Sequence, residues 1–230
     1  MLMIHRRGFK LLIGLLVVAF GAAGARACDV DEKGFEPIFN GENLDGWVVE
    51  GWAPGGPDAY PKRQEKDRIW RVEDGMLVCK GGTYGFLRYD KTVADFILRL
   101  EYRLSPGCNS GVGFRAGAFR QKDKLVAPSR GGYEMQILAD HDKKPNKRSS
   151  GSLYRHVAPR QNATRPPGEW NQLEIECRGP RIRITLNGKL IQDVDQTEHK
   201  SIRDKPISGY ISLQDHGCYI EYRRIRLKEL

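Results

Sequence analysis

The feature that most limits what this chain can fold into is a two-residue alternation of apolar and polar side chains, repeated in short runs. Over residues 96–103, Phe96, Leu98, Leu100 and Tyr102 fall on one side of an extended backbone, and Ile97, Arg99, Glu101 and Arg103 on the other. Tyr133, Met135 and Ile137 oppose Glu134 and Gln136 in the same way, and Ile211, Leu213 and Asp215 oppose Ser212, Gln214 and His216. Turn chemistry joins such runs. Asp74-Gly75 separates runs 69–72 and 76–79, and Asn187-Gly188 separates runs 182–186 and 190–194; both dipeptides are tight-hairpin signals.

No long helical period and no strand-helix-strand rhythm is present, so the expected fold is all-β, an antiparallel β-sandwich of jelly-roll type. With 230 residues, 40% hydrophobic and 29% charged, the chain is long enough for one substantial core. Trp47 follows the turn signals Asn40-Gly41 and Asp45-Gly46 and is expected to land in that core. Residues 51–66, rich in Gly, Pro and charge, read as a long surface loop.

The first 27 residues read as a targeting segment. Arg6, Arg7 and Lys10 form a basic start, 11–20 is an apolar run, and Ala25-Arg26-Ala27 fits a small-x-small cleavage site. The run is too short before Arg26 to span a membrane. The expected destination is therefore export, periplasmic or extracellular. A lipoprotein signal is a second reading, because Cys28 follows the cleavage site and is open to acylation, although Arg26 departs from the small residue expected there. Residues 28–230 are expected to form a single domain.

Cleavage removes four of the 38 Lys and Arg residues and leaves 203 residues with a net charge of +5 against 29 acids. That mild, scattered basicity suits a solvated surface or an acidic polysaccharide, and without a recognition helix or aromatic motif it gives no case for nucleic acid. Of the five cysteines, Cys79, Cys108, Cys177 and Cys218 remain once Cys28 is set aside, with three possible connectivities. Cys108 and Cys218 sit beside candidate site residues, so either a bridge there or two free buried thiols fits the sequence. No cofactor is expected and no metal-ligand or calcium-loop spacing occurs, although calcium is compatible with this fold class and the sequence does not encode whether a metal is bound.

Candidate site residues come from the polar faces of three runs. Glu134 and Gln136 share one face of the first, and Gln214 and His216 one face of the second. In the third, Asn109-Ser110-Gly111-Val112-Gly113-Phe114-Arg115, strict alternation puts Gly111, Gly113 and Arg115 together, opposite Val112 and Phe114. Glycines on the polar face of a strand leave room for something to approach the backbone, or else mark a bulge. If the three strands are neighbours, these side chains line one concave face. The polar loop 142–150 follows the Glu134 strand, where function often lies.

Ordered segments along most of the chain carry a family resemblance. They are Phe35-Glu36-Pro37-Ile38-Phe39-Asn40-Gly41 with Leu44-Asp45-Gly46-Trp47, Trp70-Arg71-Val72-Glu73-Asp74-Gly75, Asn109-Ser110-Gly111-Val112 with Arg115, Tyr133-Glu134-Met135-Gln136-Ile137, Gly151-Ser152-Leu153-Tyr154, Gly168-Glu169-Trp170-Asn171 and Leu213-Gln214-Asp215-His216-Gly217. In these the chain resembles the 3-keto-disaccharide hydrolase domain family, a concanavalin A-like, LamG-like jelly roll. Tyr222-Arg223-Arg224-Ile225 departs from it, since the family is expected to show Arg-Asn-Ile there.

The resemblance implies cleavage of glycosides already oxidised at C3 of the sugar. A C3 ketone acidifies the C2 proton, so a base can remove it, the C1 substituent can be expelled, and water can add back. Such a site needs a base, an acid for the leaving oxygen and a donor for the enolate. His216 and Glu134 are the expected base and acid in either order, with Arg115 as enolate stabiliser. Gln136, Asn109, Tyr154 and Gln214 are expected to bind substrate, with Glu101 and Asp140 as further carboxylates. The competing reading is a non-catalytic carbohydrate-binding module using Trp47, Trp52, Tyr60, Tyr84 and Tyr154 as aromatic platforms. A conventional two-carboxylate glycosidase is weaker, because no pair of acids stands out. Sugar, aglycone and oligomeric state are not encoded in these signals.

Overall fold

The computed structural model describes residues 32–230 apart from 54, 55, 57, 83, 122 and 123. The targeting segment and Cys28 lie outside the described residues. Residues 34–230 form the compact unit treated below. In chain order its elements are β1 (Glu36–Pro37), β2 (Trp47–Trp52), α1 (Ala59–Asp67), β3 (Trp70–Glu73), β4 (Met76–Cys79), β5 (Tyr84–Val93), β6 (Phe96–Leu104), β7 (Asn109–Ala116), β8 (Arg120–Gln121) and β9 (Lys124–Leu125). There follow α2 (Pro128–Gly131), β10 (Tyr133–Leu138), β11 (Asn171–Arg178), β12 (Arg181–Leu186), β13 (Lys189–Asp195), β14 (Gly209–Asp215) and β15 (Ile220–Glu229).

The strands build the antiparallel sandwich that the alternation predicts. One sheet has eight strands in the order β13-β12-β11-β6-β15-β4-β3, with β1 added along β15; the other has five, β10-β7-β14-β5-β2. The neighbours β6 and β15, and likewise β7 and β14, are far apart in sequence, so long connections wind the two sheets together. Phe96, Leu98, Leu100 and Tyr102 of β6 share one core with Val112, Phe114, Met135, Ile137, Ile211 and Leu213 of the smaller sheet. Burying each such side chain contributes roughly 1.5–3 kcal/mol.

Both hairpin signals act as their residue types require. Asp74 and Gly75 have φ of 49° and 73°, and Asn187 and Gly188 52° and 76°, the positive pair that the mirror-image two-residue turn demands. Trp47 is 8% exposed and donates its indole N–H to the Ile38 carbonyl at 2.7 Å.

The segment expected as a long loop instead carries α1. Its one buried side chain is Tyr60, fully enclosed, whose hydroxyl donates to Asp215 Oδ2 at 2.9 Å. Tyr60 lies over Gly51 and Gly85, register partners in β2 and β5, where an added Cβ would come within 2.6 Å and 2.4 Å of the ring. A helix held by one ring has no apolar stripe, so its sequence shows no helical period.

A disulfide joins Cys108, just before β7, to Cys218, just after β14, while Cys79 and Cys177 are free and buried. On the outer face of the larger sheet, Arg224 sits at a bulge between β15 and β6 with φ of 51°. Asparagine tolerates that left-handed conformation better than arginine does, which accounts for the residue type expected there.

Candidate active site

The polar face of the five-stranded sheet forms the floor of a cleft of about 490 Å3. Because β7 lies between β10 and β14, Glu134, Gln136, Gln214 and Asn109 converge, and all four line the cleft. Gln214 Nε2 donates to Glu134 Oε1 at 3.3 Å, and Gln136 Nε2 to Asn109 Oδ1 at 2.9 Å. His216 stands at the exposed rim, its ring edge-on to Tyr84 with centroids 5.3 Å apart.

One wall is aromatic, formed by Trp52, Tyr84 and Phe119, with Leu125 from the β8–β9 hairpin. The opposite wall is polar. The segment 151–154 lies along the edge of β10, with Gln136 N–H donating to Ser152 O at 3.1 Å and Tyr154 N–H to Glu134 O at 2.9 Å. This carries Tyr154 and Arg155 to the cleft beside Ser129 and Arg130 of α2.

Glu134 is the electrostatic centre of the site. It is 4% exposed, and burial pushes its pKa up to about 7, against the pull of the Ser129 hydroxyl, the Gln214 amide and the Arg155 charge. Burial and the nearby Glu134 carboxylate push Tyr84 up to about 12, so its hydroxyl stays protonated and able to donate. A carboxyl poised near neutrality in a cleft is equipped to take up or give back a proton.

Gly111 explains how Glu134 reaches the floor. A Cβ there would meet Glu134 Cγ at 2.9 Å and Oε1 at 3.0 Å, and one on Gly113 would meet Ser212 Oγ at 2.3 Å and Pro128 Cβ at 2.7 Å. The room those glycines leave is taken by the protein's own side chains, so that the Glu134 side chain can lie across β7.

Three expected site residues are elsewhere. Arg115 has φ of 49°, which breaks the alternation of β7 and turns its side chain away from the glycine face. It is wholly buried, donating to the Gly179 carbonyl at 2.7 Å and the Ala94 carbonyl at 2.8 Å and pairing with Asp95 at 3.2 Å. It thereby ties β7 to the turn between β5 and β6 and the turn between β11 and β12. Glu101 is on β6, in the other sheet, held by Arg223 at 2.7 Å and Arg224 at 3.1 Å. Asp140 is buried beyond the end of β10, where its carboxylate accepts from Ser150 N–H at 3.0 Å. Within loop 142–150, Ser149 Oγ accepts from Asn146 N–H at 2.9 Å and Ser150 Oγ from Leu138 N–H at 2.7 Å, so this segment serves to hold turns.

Ser129, Arg130 and Arg155 were not found by sequence reasoning. Ser129 and Arg130 lie just ahead of the Glu134 run and Arg155 directly follows Gly151-Ser152-Leu153-Tyr154, but only tertiary folding aims them at Glu134. Of the proposed aromatic platforms, Trp52, Tyr84 and Tyr154 line the cleft, whereas Trp47 and Tyr60 are buried in the core. Among the described residues, no group of three or more His, Cys, Asp or Glu side chains gathers to hold a metal ion, and no helix is long and apolar enough to cross a membrane.

A jelly-roll sandwich with an acid and amides on the floor of one cleft, between an aromatic and a cationic wall, defines a class: a carbohydrate-acting enzyme of hydrolase or lyase type. The chain belongs to the 3-keto-alpha-glucoside-1,2-lyase-like domain family, whose model matches residues 34–228. A relative from Bacteroides thetaiotaomicron, a 3-keto-disaccharide hydrolase, is 27% identical over 249 aligned positions, covering 87% of this chain and 80% of the relative. In fold the chain is similar to a Parabacteroides distasonis protein described as a glycosyl hydrolase, with a TM-score of 0.68 at 21% identity over 86% of this chain and 94% of that one. It is also similar to carbohydrate-binding module CBM66 of Bacillus subtilis, with a TM-score of 0.53 at 15% identity over 82% and 98% of the two chains.

Proposed function

We propose that the protein cleaves glycosides or disaccharides oxidised at C3 by abstracting the C2 proton, eliminating the C1 substituent and hydrating the product. The observation that carries this reading is Glu134: a buried carboxyl on the cleft floor, its pKa raised to about 7, with amide and hydroxyl donors around it and no second acid among the described residues that line the cleft. Direct glycoside hydrolysis calls for two carboxylates; proton abstraction beside a ketone calls for one base.

In this reading Glu134, as carboxylate, takes the C2 proton, and the electron pair moves into a C2–C3 enolate whose oxygen faces the Arg130 and Arg155 guanidiniums. Those cations replace the one expected from Arg115. As the C3 carbonyl re-forms, C1 and C2 become doubly bonded and the C1–O bond breaks, with protonated His216 giving its proton to the leaving oxygen. Water then adds at C1, losing a proton to His216, and Glu134 returns a proton to C2. The net change is addition of one water. Gln136, Asn109 and Gln214 are the groups available to orient ring hydroxyls, and Trp52 and Tyr84 offer apolar faces to the sugar. Positioned proton transfer of this kind is worth about 10²–10⁴-fold, and a preorganised cation at the enolate a comparable factor.

Export belongs to the same reading. It is supported by the basic, apolar and small-residue order of residues 1–27 and by the Cys108–Cys218 disulfide, a bond that persists in oxidising compartments. The mass of the protein recovered from its native compartment tests it: processing after Ala27 is expected, and an intact N-terminus contradicts it.

Incubation with a 3-keto-glucoside and its unoxidised parent tests the activity. Release of aglycone from the keto form alone is expected. Binding of either without turnover would instead make the domain a carbohydrate-binding module.

A further inference from the structure

Along β14 one acid lies among apolar side chains. Ile211 and Leu213 point into the core and Asp215, next in that series, is wholly buried with them, while Gln214 and His216 turn to the cleft. A carboxylate in that place costs free energy unless donors meet it. Three do. Asp215 Oδ1 accepts from Gly82 N–H at 3.1 Å and Gly217 N–H at 2.9 Å, and Oδ2 accepts from the Tyr60 hydroxyl at 2.9 Å. Burial, and then the Asp215 charge, push Tyr60 far above its ordinary pKa, so that hydroxyl stays a donor.

Two of these bonds fix segments that lead to the cleft. The bond from Gly217 closes the turn 215–217 with His216 at its middle, the local bond by which an aspartate side chain shapes its own backbone. The bond from Gly82 draws in the stretch just before Tyr84, and there the two turns touch. A Cβ on Gly81 would come within 2.6 Å of the Gly217 carbonyl carbon, and one on Gly82 within 2.9 Å of Asp215 Oδ2. The third bond ties both turns to α1, where Trp70 Nε1 in turn donates to the Tyr60 oxygen at 3.3 Å. Among the described residues none hydrogen-bonds the His216 ring, which rests against the Tyr84 ring. The aim of the imidazole therefore depends on the turn beneath it and on Tyr84, and Asp215 holds both.

From this convergence we infer that Asp215, braced by Tyr60, is a positioning residue for His216, keeping the imidazole at the C1 oxygen and so deciding whether poor leaving groups depart. The inference rests on the proposed activity for the role of His216 as acid, and the placement of its ring can be measured apart from that activity. An alkoxide needs the His216 proton as the C1–O bond breaks, whereas 4-nitrophenolate leaves without it. With the acid misplaced, Glu134 still forms the enolate, which takes up a proton at C2 again before the C1–O bond breaks.

The test uses methyl and 4-nitrophenyl 3-keto-glucosides deuterated at C2, with Asp215→Ala and Tyr60→Phe; the second removes the hydroxyl and keeps the ring over Gly51 and Gly85. In Asp215→Ala, kcat/KM for the methyl glycoside is expected to fall about 10²-fold and that for the nitrophenyl glycoside to stay within about threefold of native. Recovered methyl glycoside, which keeps its deuterium with the native protein, should lose it to solvent with the variant. Tyr60→Phe should show the same bias at about fivefold, and it decides alone where Asp215→Ala does not fold. Equal losses on the two substrates, with no exchange into recovered methyl glycoside, mark a merely structural role and overturn the inference. NMR of protein carrying labelled histidine, with the signal assigned through His216→Ala, follows the imidazole itself. The Tyr84 ring should displace that signal in the native protein, and the displacement should shrink in both variants. A signal unmoved by either substitution overturns the inference whatever the rates. Displacement lost as expected, with no release or exchange even by the native protein, supports the positioning and rejects the activity.

Discussion

Gln214 reaches across β7 to donate to Glu134 Oε1 at 3.3 Å, joining β14 to β10 over the bare backbone of Gly111. The carboxyl that this contact holds is buried, and burial of an acid costs free energy unless the acid takes a proton. Its shifted pKa therefore has consequences for both rate and stability.

If Glu134 acts as the base, it works only when ionised, so kcat/KM should rise with pH through about 7. Glu134→Gln should lower kcat by about 10²–10⁴-fold and abolish that limb of the profile. A pH-rate series on both proteins checks it.

The same shift predicts how stability varies with pH. A carboxyl with a folded pKa of about 7 and an ordinary value near 4.5 binds its proton more tightly when folded, so stability is lost as pH rises between those values. Glu134→Gln removes the loss. The variant should gain on the native protein across that window, by about 3 kcal/mol at most once the pH is above 7, in denaturant titrations at pH 4.5 and pH 8.

Placing even a methyl group at Gly111 puts a carbon 2.9 Å from Glu134 Cγ. The acid can swing aside, so Gly111→Ala should cost only about 1–3 kcal/mol of stability, yet about 10²-fold in kcat/KM through misplacement of the carboxyl. Thermal unfolding and steady-state kinetics separate the two effects.

Arg115→Ala should do the reverse. Losing the guanidinium leaves the carbonyls of Ala94 and Gly179 without a buried donor, for a loss of about 3 kcal/mol in chemical denaturation. Activity per folded molecule should stay within about threefold of the native value, because Arg115 does not line the cleft.

These contrasting outcomes trace what the sequence could and could not disclose. Period-two alternation located β6, β10 and β14, and the Asp-Gly and Asn-Gly dipeptides located two hairpins, because each signal is local. Arg115 was misjudged because its positive φ interrupts the strand, and arginine carries no mark of that conformation. Glu101 was misjudged because its alternation says nothing about which sheet β6 joins. The strand glycines did signal a close approach, but what approaches is Glu134, which only the pairing of β10 with β7 reveals. Arg130 and Arg155 reach the cleft through loop packing, to which periodicity is blind.

The bridge between Cys108 and Cys218 closes a separation of 110 residues and flanks Asn109 and the turn bearing His216. Replacing both cysteines by serine should cost about 2–5 kcal/mol in stability and lower kcat about tenfold as those groups loosen. Calorimetric unfolding and initial rates would register both.

The central claim, that Glu134 removes the hydrogen at C2, is tested most directly by following that hydrogen. With a 3-keto-glucoside deuterated at C2, aglycone release is expected to be slowed relative to the unlabelled substrate and deuterium to pass to solvent, with both release and exchange about 10²–10⁴-fold slower in Glu134→Gln. Release at an unchanged rate with the deuterium retained at C2 would contradict it.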